Sequence, residues 1–275
     1  MKTGAWVGTS GWDYKSWART FYPKDCPKAD WFDFYVTQFP TVEVNTTFYR
    51  LPTENMIQRW QQTATQPFHF SIKGSRFITH LRRLKAIDEA LDKLFDRLSP
   101  LEDRGCTILW QLPPNFPKHI ARLEEFLRKI PEGYRHAVEF RHPSWLEEDV
   151  FKTLRRHNAA LAWASSPQLP SLFDITADFV YLRFHGLSGP AHNYTSEELS
   201  PYARKLTEAV AAGKPCYVYF NNDVDTRAPK NAITLMKLLG DAAIQPATEA
   251  VEMPGRLVES ARPDLSEPRS KRLRH

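Results

Sequence analysis

Five short apolar segments of this chain carry charged or amide side chains at every second position. Along an extended strand, successive side chains point to opposite faces. In TVEVNTTFY (41–49), Glu43, Asn45 and Thr47 therefore share one face, with Val42 and Val44 on the other. The same alternation puts His69, Ser71 and Lys73 together, and Glu139 with Arg141 opposite Val138 and Phe140. It also groups Tyr181, Arg183 and His185, and Tyr219, Asn221 and Asp223. If these polar faces converge, three acids (Glu43, Glu139, Asp223) meet three bases (Lys73, Arg141, Arg183), with His185, Asn45, Asn221 and Gln111 among them. Carboxylates beside a histidine can move protons. Arginine and lysine can hold a phosphate and stabilise charge that develops on it. On this reading Glu43 or Glu139 is the general base and Asp223 a further catalytic candidate. His185 is the general acid, titrating near its ordinary value of about 6.5.

Two neighbouring features suit an anionic or ring-bearing ligand. KGSRFITHLRRLK (73–85) carries Lys73, Arg76, Arg82, Arg83 and Lys85 with no acid before Asp88. Trp12, Tyr14, Trp17, Phe21 and Tyr22 follow the first apolar segment, and Phe48 and Tyr49 follow the second. Trp12 and Tyr49 are candidates to stack on a base or sugar, against the alternative that such rings pack a core. The chain has no GxGxxG, no GxxxxGK[ST] and no HExxH, and the GTSG at 8–11 is not a GxSxG elbow. Lys73, Arg141 and Arg183 would repel a divalent ion from the shared space. We therefore expect no resident metal and no required cofactor, with a Mg²⁺ or Mn²⁺ recruited by the substrate left open.

Eight segments must position these groups: 5–12, 41–49, 68–74, 106–113, 136–143, 159–166, 179–186 and 216–223. They recur at a spacing of about 30 residues, the length of a strand–helix–strand repeat. Between them lie amphipathic stretches such as 29–39, 84–98, 119–130 and 195–213. Eight strands alternating with helices predict a (β/α)₈ TIM barrel. An open doubly wound sheet would instead gather its polar residues at one switch point. The sixth helix is expected to be short or absent, because only SPQLPSLFDITAD separates the sixth and seventh strands. We place one domain at 1–240. Residues 241–275, with Pro246, Pro254, Pro263 and Pro268 and no periodic apolar face, are expected to form a mobile polar tail.

Composition excludes other classes. With 42% hydrophobic and 25% charged residues over 275 positions, the chain is neither disordered nor a membrane span. Cys26, Cys106 and Cys216 form no paired spacing, and the N-terminus lacks the apolar block of a signal peptide. A cytoplasmic location with no membrane partner is expected. The tail is neutral, so the whole net charge of +5 sits on residues 1–240. That excess suits an anionic small molecule or a nucleic acid as partner.

GTSGWDYKSW…FYP (8–23), FPTVEVNTTFYRLP (39–52), FHFSIKGSRFITH (68–80), QLPPNF (111–116), AVEFRHPSW (137–145), YLRFHG (181–186) and YVYFNND (217–223) together resemble the YecE-like family, built on a domain of unknown function. The resemblance covers about residues 5–240. It implies a TIM barrel with a polar pocket at the strand ends, made of Glu43, Asn45, Lys73, Gln111, Glu139, Arg141, His142, Arg183, His185, Asn221, Asn222 and Asp223. It brings no established reaction. The leading expectation is an enzyme that acts, by hydrolysis, on a phosphate-bearing substrate such as a nucleotide or nucleic acid. One alternative is a glycosidase-like enzyme that uses Glu43 and Glu139 as its carboxylate pair. Another is a non-catalytic nucleic-acid-binding barrel, in which the carboxylates are only counterions.

Overall fold

In the computed structural model, which describes residues 3–64, 67–168 and 172–247, the eight apolar segments are parallel strands closed into one barrel in chain order. They are β1 (Ala5–Ser10), β2 (Thr41–Val44), β3 (His69–Lys73), β4 (Thr107–Gln111), β5 (Arg135–Glu139), β6 (Ala160–Ser165), β7 (Val180–Phe184) and β8 (Cys216–Phe220). The surrounding helices are α1 (Trp31–Gln38), α2 (Glu54–Thr63), α3 (Asp88–Leu98), α4 (Ile120–Lys129), α5 (Glu148–Arg156), α6 (Ser196–Ala211) and α7 (Arg227–Leu239). The (β/α)₈ barrel is the fold. Its helical ring is interrupted between β6 and β7, where no helix occurs among the described residues. There the chain lies along the barrel instead. Thr176 Oγ1 accepts from the Leu161 N–H and donates to the Ala159 carbonyl, both at 2.7 Å, and Trp163 Nε1 donates to the Asp174 carbonyl.

The period-two alternation holds. Val42, Val44, Phe70, Ile72, Val138, Phe140, Val180, Leu182, Phe184, Val218 and Phe220 pack in the large core under the helices. Trp6, Leu109, Ala137, Ala160, Ala162, Tyr181, Tyr217 and Tyr219 fill a second cluster inside the barrel. This interior is rich in rings and hydroxyls, whereas barrels of this kind are commonly filled by branched aliphatics. His69 stacks on Tyr217 at 4.1 Å near the floor. One layer higher, Tyr219 Oη bonds both Thr41 Oγ1 (2.8 Å) and Ser71 Oγ (2.7 Å). Burying hydroxyls is tolerable because each finds a partner.

The packed domain runs past residue 240. Ala243 bridges to Ala5, the Ile244 N–H donates to the Ala5 carbonyl at 2.9 Å, and Ile244 is buried in the interior cluster with Trp6. Ala243 and Ile244 therefore close the barrel floor and are not part of a loose tail. The remainder of the expected tail, 248–275, lies outside the described residues. All three cysteines are free thiols, and among the described residues no helix is long and apolar enough to cross a membrane.

Candidate functional site

The polar faces of β2, β3, β4, β5 and β7 converge at the C-terminal mouth of the barrel. Arg183, fully buried on β7, is the centre of the arrangement. Its Nη2 donates to Glu43 Oε1 at 2.7 Å and its Nη1 to Glu139 Oε2 at 2.6 Å. Glu43 also accepts from Ser10 Oγ (2.6 Å) and from Tyr181 Oη (2.8 Å). Glu139 is in ion-pair contact with Arg141 through Oε1, which also accepts from Gln111 Nε2 at 3.1 Å. Register places these partners side by side, with Ser10 opposite Glu43 on β1–β2 and Gln111 opposite Glu139 on β4–β5. Burial alone would raise a carboxylate pKa, but the arginines reverse it. Glu43 is lowered and Glu139 lies well below the usual carboxylate range.

His185, at the end of β7, differs from the expectation of a group titrating near 6.5. Burial and the charges of Arg183 and Arg141 outweigh the attraction of Glu139 and push it down to about 4. Its ring is therefore neutral at pH 7. Its Nε2 lies 2.8 Å from the donor Arg141 Nη2 and 3.3 Å from Glu139 Oε1, and its Nδ1 lies 3.2 Å from the donor Asn221 Nδ2. A neutral imidazole suits a proton acceptor rather than a general acid.

Lys73 takes the remaining place. Its ammonium sits 4.4 Å above the Phe48 ring, and no carboxylate lies within 4 Å of it among the described residues. Burial first, then Arg183, lowers it to about 8, against the pull of Glu43 and Glu139. Gly74 makes this position accessible, because a Cβ there would lie 2.4 Å from the Trp110 ring and force β3 away from β4. Asn45 follows β2 at the same rim, and its Oδ1 is buried with no hydrogen-bond partner.

The other candidates sit elsewhere. Asp223 follows the end of β8, where the chain has turned into a 3₁₀ segment and strand alternation no longer applies. Burial raises its pKa, and it has no cation within 4 Å among the described residues. His142 caps the turn Pro143–Trp145, its Nδ1 accepting from the Ser144 N–H. Asn222 is fully buried and donates to the His192 carbonyl and to Asn231 Oδ1, both at 2.8 Å, so it fastens loops together. Trp12 packs on Phe32 and Trp60, against α1 and α2. Tyr49 is 77% exposed on the rim. The structure also adds Ser10, Tyr181 and Tyr14. Ser10 ends β1 on the same face as Trp6, so strand parity alone identifies it. Tyr14 had no such signal, because it enters through a turn that hydrogen-bonds its hydroxyl back to the Ser10 carbonyl. Among the described residues no three His, Cys, Asp or Glu side chains are grouped as a metal site.

Known proteins share this architecture. The UPF0759 protein YecE of Escherichia coli (strain K12) is 25% identical over 256 residues, covering 84% of this chain and 90% of its own length. The UPF0759 protein YunF of Bacillus subtilis (strain 168) is 23% identical over 270 residues, covering 85% and 94%. The crystal structure of a DUF72 family protein from Thermotoga maritima superposes with a TM-score of 0.78 at 28% identity, covering 86% of this chain and 99% of that one. One from Enterococcus faecalis, 18% identical with a TM-score of 0.75 and 86% and 95% coverage, shares the fold. The family model for the protein of unknown function DUF72 matches residues 6–254, and this chain belongs to that family.

Proposed function

We propose that the mouth binds a phosphate group and hydrolyses a phosphoester. One observation carries this reading. Inside the cluster the carboxylates Glu43 and Glu139 are already neutralised by Arg183 and Arg141, while Lys73 is a third cation with no ion-pair partner among the described residues. A half-buried cation with no ion-pair partner is incompletely compensated until an anion arrives, so an anionic ligand is a natural complement. Lys73 and the outer edge of Arg141 hold the phosphate, with Asn45 and Asn221 as neutral hydrogen-bonding neighbours. Neutral His185 takes the proton of the attacking water as the water oxygen bonds to phosphorus and the ester P–O bond breaks, and it then passes that proton to the leaving oxygen. Glu43 and Glu139 keep the cations in place. They make poor proton acceptors, because their arginines stabilise the ionised forms.

The electrostatics work against a glycosidase. Its general acid needs a raised pKa, and both glutamates are lowered. The reading is tested by turnover of p-nitrophenyl phosphate and bis(p-nitrophenyl) phosphate, and by calorimetric titration with inorganic phosphate. Arg141→Ala should slow turnover by roughly 10²–10³, and Lys73→Ala should weaken phosphate binding. Equal turnover by wild type and Arg141→Ala overturns the role assigned to Arg141. Undiminished phosphate affinity in Lys73→Ala overturns the site.

A further inference from the structure

The loops that leave β2, β3 and β4, residues 45–53, 74–87 and 112–119, contain no aspartate or glutamate. They carry Arg50, Arg76, Arg82, Arg83, Lys85 and Lys118. Lys118 pairs with Glu147 and Asp149, but none of the other five has a carboxylate within 4 Å among the described residues. Large apolar side chains are exposed on the same loops: Tyr49 at 77%, Leu81 at 66% and Phe77 at 45%. Rings and cations alternate outward from the mouth. Lys73 lies over Phe48, whose ring meets Tyr49 at 5.1 Å and His80 at 5.0 Å, and Arg82 lies 5.9 Å from the Phe77 ring.

The backbone holds this presentation firmly. Arg83, Leu84 and Ala86 adopt positive φ (47°, 65° and 50°), a conformation unfavourable for residues with a Cβ. It is maintained because Leu84 is buried and its N–H donates to the Ile78 carbonyl at 2.9 Å.

From this juxtaposition we infer that the β2–β4 flank is a track for single-stranded nucleic acid that leads one phosphate into the mouth at Lys73. The inference rests on the phosphate-binding reading of the mouth and names its substrate class. A single strand presents what the flank is built to meet, with phosphates for the arginines and free base faces for Tyr49 and Phe77. A duplex hides its base faces in the stack. An acidic protein segment would answer the arginines but leave the exposed rings without a matching surface.

The test is fluorescence anisotropy with a labelled oligothymidylate at 50 and 200 mM salt, comparing wild type, Tyr49→Ala/Phe77→Ala, Arg76→Gln/Arg82→Gln and Lys73→Ala. Affinity should fall about 10-fold or more when both rings are removed. The double arginine variant should flatten the salt slope by about 1.4, roughly 0.7 for each phosphate left without its arginine. Full affinity in both flank variants, with weaker binding by Lys73→Ala, overturns the track and leaves the mouth reading standing. No oligonucleotide binding even at 50 mM overturns the track, and titration with inorganic phosphate then judges the mouth alone. Displacement of the oligonucleotide by polyglutamate as readily as by unlabelled oligothymidylate also overturns it, since charge alone would then account for binding.

Discussion

The two flanks of the barrel mouth satisfy their polar groups in opposite ways. On the β7–β8 side the loops pair with one another. Asn231 Oδ1 accepts from Asn222 Nδ2 and from the Tyr194 N–H, while its Nδ2 donates to Asn193 Oδ1 and to the Tyr194 carbonyl. Tyr194 Oη in turn bonds Ser165 Oγ at 2.7 Å and accepts from the Gly186 N–H. On the β2–β4 side, Arg50, Arg76, Arg82 and Arg83 have no carboxylate partner among the described residues, and rings are exposed beside them. A flank whose polar groups find one another contributes to folding. One whose charges are not matched by opposite charges gains little from them in the folded state and keeps them available to a ligand.

Stability measurements separate these regions, from the largest effect to the smallest. Between the flanks, Arg183→Met leaves Glu43 and Glu139 buried without their shared cation, and should cost about 3–5 kcal/mol in urea unfolding. A cost below about 1 kcal/mol would show that Arg141 and the hydroxyls alone compensate both carboxylates. On the paired flank, Asn231→Ala removes the acceptor for Asn222 and the Tyr194 N–H, and should cost about 1–3 kcal/mol. On the open flank, Arg50→Gln/Arg76→Gln should stay within about 0.5 kcal/mol of wild type. A large destabilisation there would mean that these arginines serve the fold.

Acid sensitivity tests the burial of the histidines, among them His136 at the start of β5, bonded to Trp110 and Pro131. Burial pushes His136 and His185 down to about 4. Between their unfolded value of about 6.5 and pH 4, the unfolded chain therefore binds more protons than the folded one. Stability should be full above pH 6.5 and fall as pH drops to 4, by roughly 3 kcal/mol for each histidine. The lowered glutamates extend the decline further down, since their stabilisation is present above their unfolded pKa and disappears as pH falls through the folded one. A stability that stays flat from pH 7 to 4.5 would contradict the burial of these rings.

The smallest predicted change is the alkaline limb of activity. Lys73, at about 8, loses its charge as pH rises, so kcat/KM toward a phosphoester should decline above pH 8. Lys73→Arg should shift that limb upward by more than a unit, because arginine does not deprotonate in this range. An unchanged profile would detach the limb from Lys73.

Strand parity made most of the site legible in advance. Glu43, Lys73, Glu139, Arg183 and His185 all lie at or near the ends of their strands, where the period of two still governs direction. Its reach ended where the strand stopped. Asp223 follows Phe220, the last residue of β8, and Asn222 and His142, which the family resemblance and not alternation put forward, also lie beyond their strands. Their directions depend on local turn hydrogen bonds, which alternation does not encode. For Trp12 the structure shows the packing alternative, on Phe32 and Trp60, since an aromatic residue in a loop can pack on helices as readily as it can face solvent.

From residue order alone come the closed eight-strand barrel, its two faces and the identity of the residues at its mouth, because hydrophobic periodicity is written along the chain. Which acid meets which base is not written there. That Arg183 bridges Glu43 and Glu139, that Lys73 has no such partner among the described residues and that His185 is neutral all depend on distances between strands far apart in sequence. They depend equally on the burial that sets the strength of each charge. Closure of the barrel brings those strands together and removes their side chains from water, and so decides which charges at the mouth are matched and which are left for a ligand.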